Sequence, residues 1–439
     1  MFQTLVQAFK SKDLRKKLLL TLLILFVYRI GCWLPIPGLN TSVFESSVSG
    51  SDFLSLLNSV TGGALANGSL LALGVIPYIS ASIIIQLLTV AIPALERLSK
   101  AGEEGRRKLT FYTRIAALIF ALIQAITIVI NFSVNGSIND AALGSAMPVW
   151  LVCTLIVLVL VAGAMFTLWL GEKITDLGIG NGVSLLIFVG IICGAGAAIL
   201  EAFSGITATN LDGLWTILIF AVMLIVVFAL IVFVDLAERK IPVNYAKQIK
   251  GRKMYGGQST HIPIKVNGSG VLPIIFATAL VAFPQLIMQL IGVSDGNSFY
   301  DWWSEWLGSG TVVYFLINAL LIFFFTYFYA QITFNPEEVS RTLQQNGGFV
   351  PGIRAGKPTM DYLKKISRRI TLFGAIYLAL IFVVPTVALS LVPSGSVVSG
   401  SLVNAFTVTG LLIVVSVALE FDKQLDAQLL AKSYRGFLK

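Results

Sequence analysis

The chain has 439 residues, of which 56% are hydrophobic and only 12% are charged. A soluble protein carries roughly a quarter charged residues, so this composition excludes a protein whose whole surface faces water. It predicts instead a chain that crosses a membrane several times. The net charge of +9 further favours an anionic partner, either lipid or macromolecule.

Apolar runs of about 20 residues, the length of a membrane-spanning helix, recur along the chain. Residues 2–9, before the first run, have apolar side chains at helical spacing, which predicts either a short helix on the membrane surface or a frayed terminus. We predict ten spans, and expect helices because backbone groups in hydrocarbon need internal partners. Their bounds are 18–34, 71–92, 110–132, 149–171, 179–200, 214–234, 271–291, 311–333, 370–391 and 402–419.

Basic residues are distributed very unevenly between the two sides of this arrangement. If the N-terminus is cytoplasmic, all of the 31 Lys and Arg residues except Arg29 lie in cytoplasmic segments or, for Arg114, at the cytoplasmic end of a span. The positive-inside rule therefore predicts that both termini are cytoplasmic. Five spans per half make the two halves, 1–210 and 211–439, run in opposite directions, which predicts inverted repeats.

Arg29 is the one basic residue at depth in a predicted span, because Arg114 lies at the cytoplasmic end of the span 110–132. An arginine in the bilayer either extends its side chain to the interface or has a functional partner. Because Arg29 lies near the outer end of its span, extension to the interface is the expectation that we prefer.

Several function classes lack support in the sequence. The predicted spans contain no Asp or Glu, which argues against an ion-coupled transporter. The chain has no phosphate-binding loop of the GxxxxGK[ST] type, and the single His261 has no base–nucleophile pattern around it, so an enzyme is not expected. Cys32, Cys153 and Cys193 lie in apolar spans without a CxxC motif, and we expect no disulfide, metal site or cofactor.

Three segments do not fit simple connections between spans. The predicted cytoplasmic loops 235–269 and 334–369 are long and charged, so they either bind a partner or are solvated charge runs. The stretch 55–80 is apolar, but glycines and a proline interrupt it. Taken alone, it predicts a re-entrant or an interfacial segment.

Seven stretches of the chain are distinctive: IPYISASIIIQLL (76–88), GEEGRRK (102–108), GIGNGVS (178–184), YAKQIKGRK (245–253), STHIPIKVN (259–267), FNPEEV (334–339) and FVPGIR (349–354). In their order and spacing they resemble the signature sequences of the SecY family of bacterial protein-translocation channels. The resemblance extends from the first span to the last. The alternatives are a gated small-solute transporter and, as a third class, a scaffold or insertase, which would need neither a plug nor a pore ring.

The resemblance implies an all-α membrane protein with ten transmembrane helices in two inverted five-helix halves and a re-entrant plug helix. Its implied function is to pass unfolded secretory polypeptides across the bacterial plasma membrane. A lateral gate between span two and spans seven and eight would release membrane segments into the lipid. The implied partners are the subunits SecE and SecG, the SecA ATPase motor or a ribosome on the cytoplasmic loops, and precursors that carry a signal sequence.

The resemblance also assigns site residues. The plug covers about Ser55–Asn67, and its named members are Ser55, Leu56, Leu57, Asn58, Gly62, Gly63 and Leu65. The pore ring comprises Val75, Ile79, Val183, Ile187, Ile275 and Ile413. We further expect a polar contact at the lateral gate from Gln86 and Asn181, and partner docking by Lys247, Lys250, Arg252, Lys253 and Arg354.

Overall fold

The structure, a computed structural model, describes most of the chain. The described residues are 2–37, 58, 60–134, 148–178, 180–204, 212–245, 248–250, 253–255, 259–291, 298–308, 311–390 and 408–437. The chain packs as two units. Unit one comprises Met1–Ile217, Ala279–Ser309 and Val392–Lys439, and unit two comprises Leu218–Thr278 and Gly310–Leu391.

Helices make up most of the described chain. They are α1 (Phe2–Lys10), α2 (Lys12–Gly31), α3 (Ile76–Ala91), α4 (Pro93–Lys100), α5 (Gly102–Val134), α6 (Val149–Leu177), α7 (Gly182–Ser204), α8 (Asp212–Leu236), α9 (Leu272–Ile291), α10 (Ser298–Leu307), α11 (Val312–Thr333), α12 (Pro336–Gln345), α13 (Lys357–Ser390) and α14 (Val408–Phe437). The strands are β1 (Glu238–Tyr245), β2 (Gln248–Lys250), β3 (Lys253–Tyr255), β4 (Ser259–Lys265) and β5 (Gly348–Phe349).

Each of the ten predicted spans overlaps one of these helices. Among the described residues, five helices are long and apolar enough to cross a membrane, or six if α3 and α4 form one span with a 102° bend. The number of spans therefore stays a prediction, while the helical membrane architecture is plain. The second predicted span starts later than expected, at Ile76, because residues 71–75 form turns around Gly74, whose φ is +53°.

The core of unit one joins α5 and α6 to the segment that precedes α3. Small residues such as Ala121 and Ala164 let the helices approach closely, and Leu65 and Leu73 fill the space beside them. The chain that follows α2 is tied to the same segment, because the Ile36 N–H donates to the Gly68 carbonyl at 2.9 Å. The segment 60–75 is thus an integral part of the core.

A tight turn joins α6 to α7. Gly178 ends α6 with a φ of +76°, and the Thr175 hydroxyl accepts a hydrogen bond from the Gly182 N–H at 2.9 Å. A Cβ at Gly182 would collide with the carbonyl of Gly171, so glycine is required for this close approach. The turn places Val183 at the start of α7.

The N-terminal helices pack on α14 in unit one. Ala8, Leu14, Leu18 and Leu425 form one buried cluster. Residues 2–10 form a helix, as one of the two sequence-based alternatives proposed. One face of this helix packs on protein, through Ala8.

Unit two contains an antiparallel sheet with the strand order β4–β1–β5. Alternate residues of β1, Ile241 and Val243, are buried, and they share a core with Leu343 of α12 and Leu363 of α13. The two long loops are therefore folded together rather than extended in solvent. Asn335 caps α12 by accepting from the Glu337 N–H at 3.1 Å, which explains the FNPEEV sequence.

Candidate functional site

The described part of the interrupted segment between α2 and α3 contains a helix end. Residues 58, 60 and 61 are helical, Gly62 has a φ of +66°, and the Gly63 N–H donates to the Asn58 carbonyl at 3.0 Å. This six-to-one bond with glycine in the left-handed region is a Schellman motif. Of the expected plug members, Ser55, Leu56 and Leu57 lie outside the described residues.

Hydrogen bonds fold the chain after this helix back on itself. The Asn58 side-chain oxygen accepts from the Ala66 N–H at 2.8 Å, and the Ser69 N–H donates to the Ala64 carbonyl at 3.1 Å. Leu65 is only 1% exposed. The irregular backbone is therefore satisfied internally, which is the condition for its presence at membrane depth.

Gly62 lies in a close contact with a neighbouring helix, whereas Gly63 does not. A Cβ at Gly62 would collide with the backbone carbonyl of Gly190 on α7, whereas a Cβ at Gly63 would meet no described atom within 4 Å. A Cβ at Gly190 would in turn lie 2.6 Å from the carbonyl oxygen of Val60. The helix end thus packs backbone to backbone against α7.

Arg29 of α2 reaches the same helix end. Its Nη2 donates to the Gly62 carbonyl at 2.8 Å, and its Nη1 donates to the Thr61 carbonyl at 3.5 Å. The guanidinium has protein carbonyls as partners, which is the second of the two sequence-based alternatives, while extension to the interface stays a prediction. A buried guanidinium needs hydrogen-bond partners, and these carbonyls supply two of them.

Five of the six expected ring residues lie in unit one. Val75 and Ile187 are 3% and 6% exposed, Ile413 is 7% exposed, and Ile79 is half-buried. Ile187 lies three residues before Gly190, within one turn of the contact with the candidate plug. Helices α7 and α14, which carry Ile187 and Ile413, contact each other.

The fifth ring residue of unit one is Val183, and the sixth member of the ring is Ile275. Val183 is half-buried, and its Cγ2 lies 3.1 Å from where a Cβ at Gly171 of α6 would be, so part of this side chain packs on a neighbouring helix. Ile275 lies in the part of α9 that belongs to unit two. The assignment of the ring stays a prediction.

The two expected gate residues make local hydrogen bonds. The Asn181 side-chain oxygen accepts from the Val183 N–H at 3.2 Å and from the Ser184 N–H at 3.5 Å, so it caps α7. The Gln86 amide donates to the Ser82 hydroxyl at 3.2 Å within α3. Both side chains are exposed.

The expected docking residues belong to unit two. Lys250 and Lys253 are opposite one another at the closed end of the β2–β3 hairpin, while Lys247 and Arg252 lie outside the described residues. Arg354 is exposed in the turn before α13. Its carbonyl accepts from the Thr359 hydroxyl at 2.7 Å.

A second buried hydroxyl holds the same turn. Ser340 of α12 donates to the Gly356 carbonyl at 2.8 Å, and Ser340 and Thr359 are 4% and 2% exposed. Sequence reasoning missed both residues, as it missed Gly190. The only available signal was the density of turn residues around Gly356, and Gly190 is one of many small residues in an apolar run.

Comparisons with known proteins agree with these observations. The SecY family profile matches residues 69–421. The protein translocase subunit SecY of Mycobacterium bovis is 43% identical over 455 residues, with 100% of both chains covered.

Solved structures share the fold. One is a SecY protein described by its plug domain, which stabilises the closed state of the translocation channel and maintains a membrane seal. It matches with a TM-score of 0.58 and 18% identity, over 93% of this chain and 91% of that chain. Sec61 in a canine ribosome–channel complex from the endoplasmic reticulum matches with a TM-score of 0.58 and 18% identity, over 94% of this chain and 91% of the other. The full-length relative and the family profile lead to one conclusion: the chain belongs to the SecY family.

Proposed function

We propose that this chain is the protein-conducting channel of a bacterial plasma membrane. It passes unfolded secretory polypeptides across the membrane, and it releases membrane segments laterally into the lipid. The observation that carries the proposal is the buried segment 60–75, whose helix end packs against α7 beside Ile187. The contact of this helix end with α7 is between glycine backbones, without interlocking side chains, which suits a stopper that must leave its seat.

The pore ring comprises Val75, Ile79, Val183, Ile187, Ile275 and Ile413. Branched apolar side chains at a constriction exclude water and ions by dewetting, and they contact a passing chain without binding one sequence. The plug covers about 55–67 and closes the resting channel. A SecY whose structure is similar is described as sealed by its plug domain, which supports this role here.

The lateral gate opens where α3, the second span, separates from α9 and α11, the seventh and eighth, so that a signal sequence reaches lipid. Gln86 and Asn181 contribute polar groups there, and the exposure of both side chains leaves them accessible for this role. The chain is a channel subunit rather than an enzyme.

Partners dock on the folded loops of unit two, through Lys247, Lys250, Arg252, Lys253 and Arg354. A ribosome is one such partner, as in the canine channel complex, and its RNA is an anionic surface that suits these cations. We further assign SecA as the motor and SecE and SecG as companion subunits, with both termini cytoplasmic. Anionic lipid headgroups are a further proposed partner of the cytoplasmic face.

A site-specific crosslink tests the proposal. A photoreactive residue replaces Ile79, and a signal-bearing precursor is stalled during transport in membrane vesicles. We expect a crosslink between precursor and channel. The matched control replaces Phe26 of α2, which is 67% exposed, and should give no adduct with the stalled chain. This path is excluded if, in vesicles that transport the precursor, Ile79 gives no adduct or gives no more adduct than Phe26.

A further inference from the structure

We propose that Arg29 is the latch that positions the plug in its closed seat. The proposal rests on the proposed channel function, and it assigns a task to a residue of α2 that lies outside the plug and the ring. Its basis is the pair of hydrogen bonds from the guanidinium to the carbonyls of Thr61 and Gly62.

The two carbonyls lie at the helix end: that of Thr61 is its last helical carbonyl, and that of Gly62 follows directly in the left-handed turn. The last carbonyls of a helix have no partner within it, and the Schellman motif at Gly62 satisfies only part of them. The C-terminal end of a helix also carries a partial negative charge, which favours a cation. A planar guanidinium with several donors suits two adjacent oxygens better than the compact ammonium of a lysine.

Charge in this region is confined to the latch. Residues 53–95 contain no Asp, Glu, Lys or Arg, so the plug has no side chain with which to form an ion pair to Arg29. The latch therefore recognises backbone, and it depends on the plug having its helix end in place. If the plug moves away, both carbonyls lose their hydrogen bonds to the Arg29 guanidinium at the same time.

Two neighbouring contacts set the seat that the latch secures. Gly190 of α7 lies against the plug backbone, and a Cβ at Gly74 would lie 3.0 Å from Thr61 Cγ2. Both contacts are between uncharged groups and are short in range. Arg29 adds a directional, charge-assisted bond, so its removal should shift the plug toward the displaced state without preventing passage of a chain.

The experiment measures how often the plug leaves its seat. Ala64 is 1% exposed, so a cysteine at this position, in a chain whose three native cysteines are replaced by serine, reports displacement by reacting with a membrane-impermeant maleimide. We compare Arg29→Met and Arg29→Lys with Arg15→Met, which removes the same charge from an exposed site on α2. Precursor transport is measured in the same vesicles.

The expected order of labelling rates is clear. Arg29→Met should label about tenfold faster than the parent or more, since bonds to charged groups rank among the stronger hydrogen bonds. Arg29→Lys should lie between them, and Arg15→Met should match the parent. Transport should persist in all variants.

Each outcome has a distinct meaning. If the parent transports precursors and Arg29→Met labels at the parent's rate, the latch is refuted and the channel function stands. If the parent transports nothing, the channel function itself fails. Should Arg29→Met not accumulate in the membrane, Arg29→Lys decides: faster labelling supports the latch, and labelling at the parent's rate overturns it.

Discussion

Gly62 of the plug segment and Gly190 of α7 pack backbone against backbone. An added Cβ at Gly62 would collide with the Gly190 carbonyl, and one at Gly190 would collide with the Val60 carbonyl. The contact leaves no room for a side chain between the helix end and α7. It also joins the plug to the helix that carries Ile187. The closed position is therefore sensitive to a single methyl group.

We predict that Gly190→Ala displaces the plug. The new Cβ would lie 2.6 Å from the Val60 carbonyl oxygen, so the backbone has to shift, and overpacking of this kind costs about 1–3 kcal/mol. The resting conductance of the purified channel in a planar bilayer should rise, and its heat stability should fall.

The matched control for this change is Gly196→Ala on the same helix. A Cβ there meets no described atom within 4 Å, and alanine is a better helix former than glycine. Conductance should stay at the parent's value. Equal conductance of the two variants would mean that the Gly62–Gly190 contact does not hold the plug.

A second prediction concerns the turn that presents Arg354. We expect Arg354→Glu to abolish partner-driven transport of precursors while the chain still inserts and melts normally, since the side chain is exposed. Lys357→Glu reverses an exposed charge three residues later and serves as the control. Transport that survives Arg354→Glu, with the other loop charges also neutralised, would remove the docking role.

The support beneath Arg354 gives a third prediction. Thr359→Val keeps the shape of the side chain but leaves the Arg354 carbonyl without the bond at 2.7 Å. The bond is part-buried, so its loss should cost about 0.5–1.5 kcal/mol, measurable as a lower midpoint of thermal unfolding. Transport should fall less than in Arg354→Glu, because the charge remains on a loosened turn. Unchanged stability would show that the turn is held by other contacts.

Sequence patterns predicted the membrane helices well, because an apolar run of about 20 residues has few alternatives to a helix in lipid. The glycines of the segment 55–80 likewise signalled an irregular backbone. The sheet of unit two was missed, although the alternation of Ile241 and Val243 in β1 is a strand pattern. It was overlooked because the surrounding charges favoured a loop.

Long-range partners were beyond the reach of the sequence. The bond from Arg29 to Gly62 joins positions 33 residues apart, and carbonyl acceptors have no signature in a sequence. The same holds for Gly190, whose neighbour is known only once α7 and the plug segment are placed together.

A fourth prediction concerns the ion pair between α5 and α6. Arg114 donates through Nε and Nη2 to the two carboxylate oxygens of Glu172, at 2.7 and 2.9 Å. Both groups are partly exposed, so solvent screens the pair, and a double-mutant cycle with Arg114→Gln and Glu172→Gln should give a coupling of about 0.5–1 kcal/mol. The pair Lys173–Asp176, at 3.7 Å and more exposed, should show almost none. Equal coupling in the two cycles would contradict the importance of the two-point geometry.

The last prediction separates the plug from the ring, because the two seal the channel by different physics. The plug is a movable body held by apolar contact, which contributes about 25 cal/mol per Å² buried, by the contact at Gly190 and by Arg29. Deletion of residues 55–67 should therefore leak ions but leave transport largely intact.

The ring is a constriction that ions cross only by losing water, so Ile187→Asp should leak more persistently. Ile187→Gly should also leak, whereas Ile192→Gly, at a 44% exposed site on the same helix, should not. Single-channel conductance without a substrate distinguishes these cases. If the deletion and both Ile187 variants stay as tight as the parent, residues 55–67 are not a plug and Ile187 is not part of the constriction.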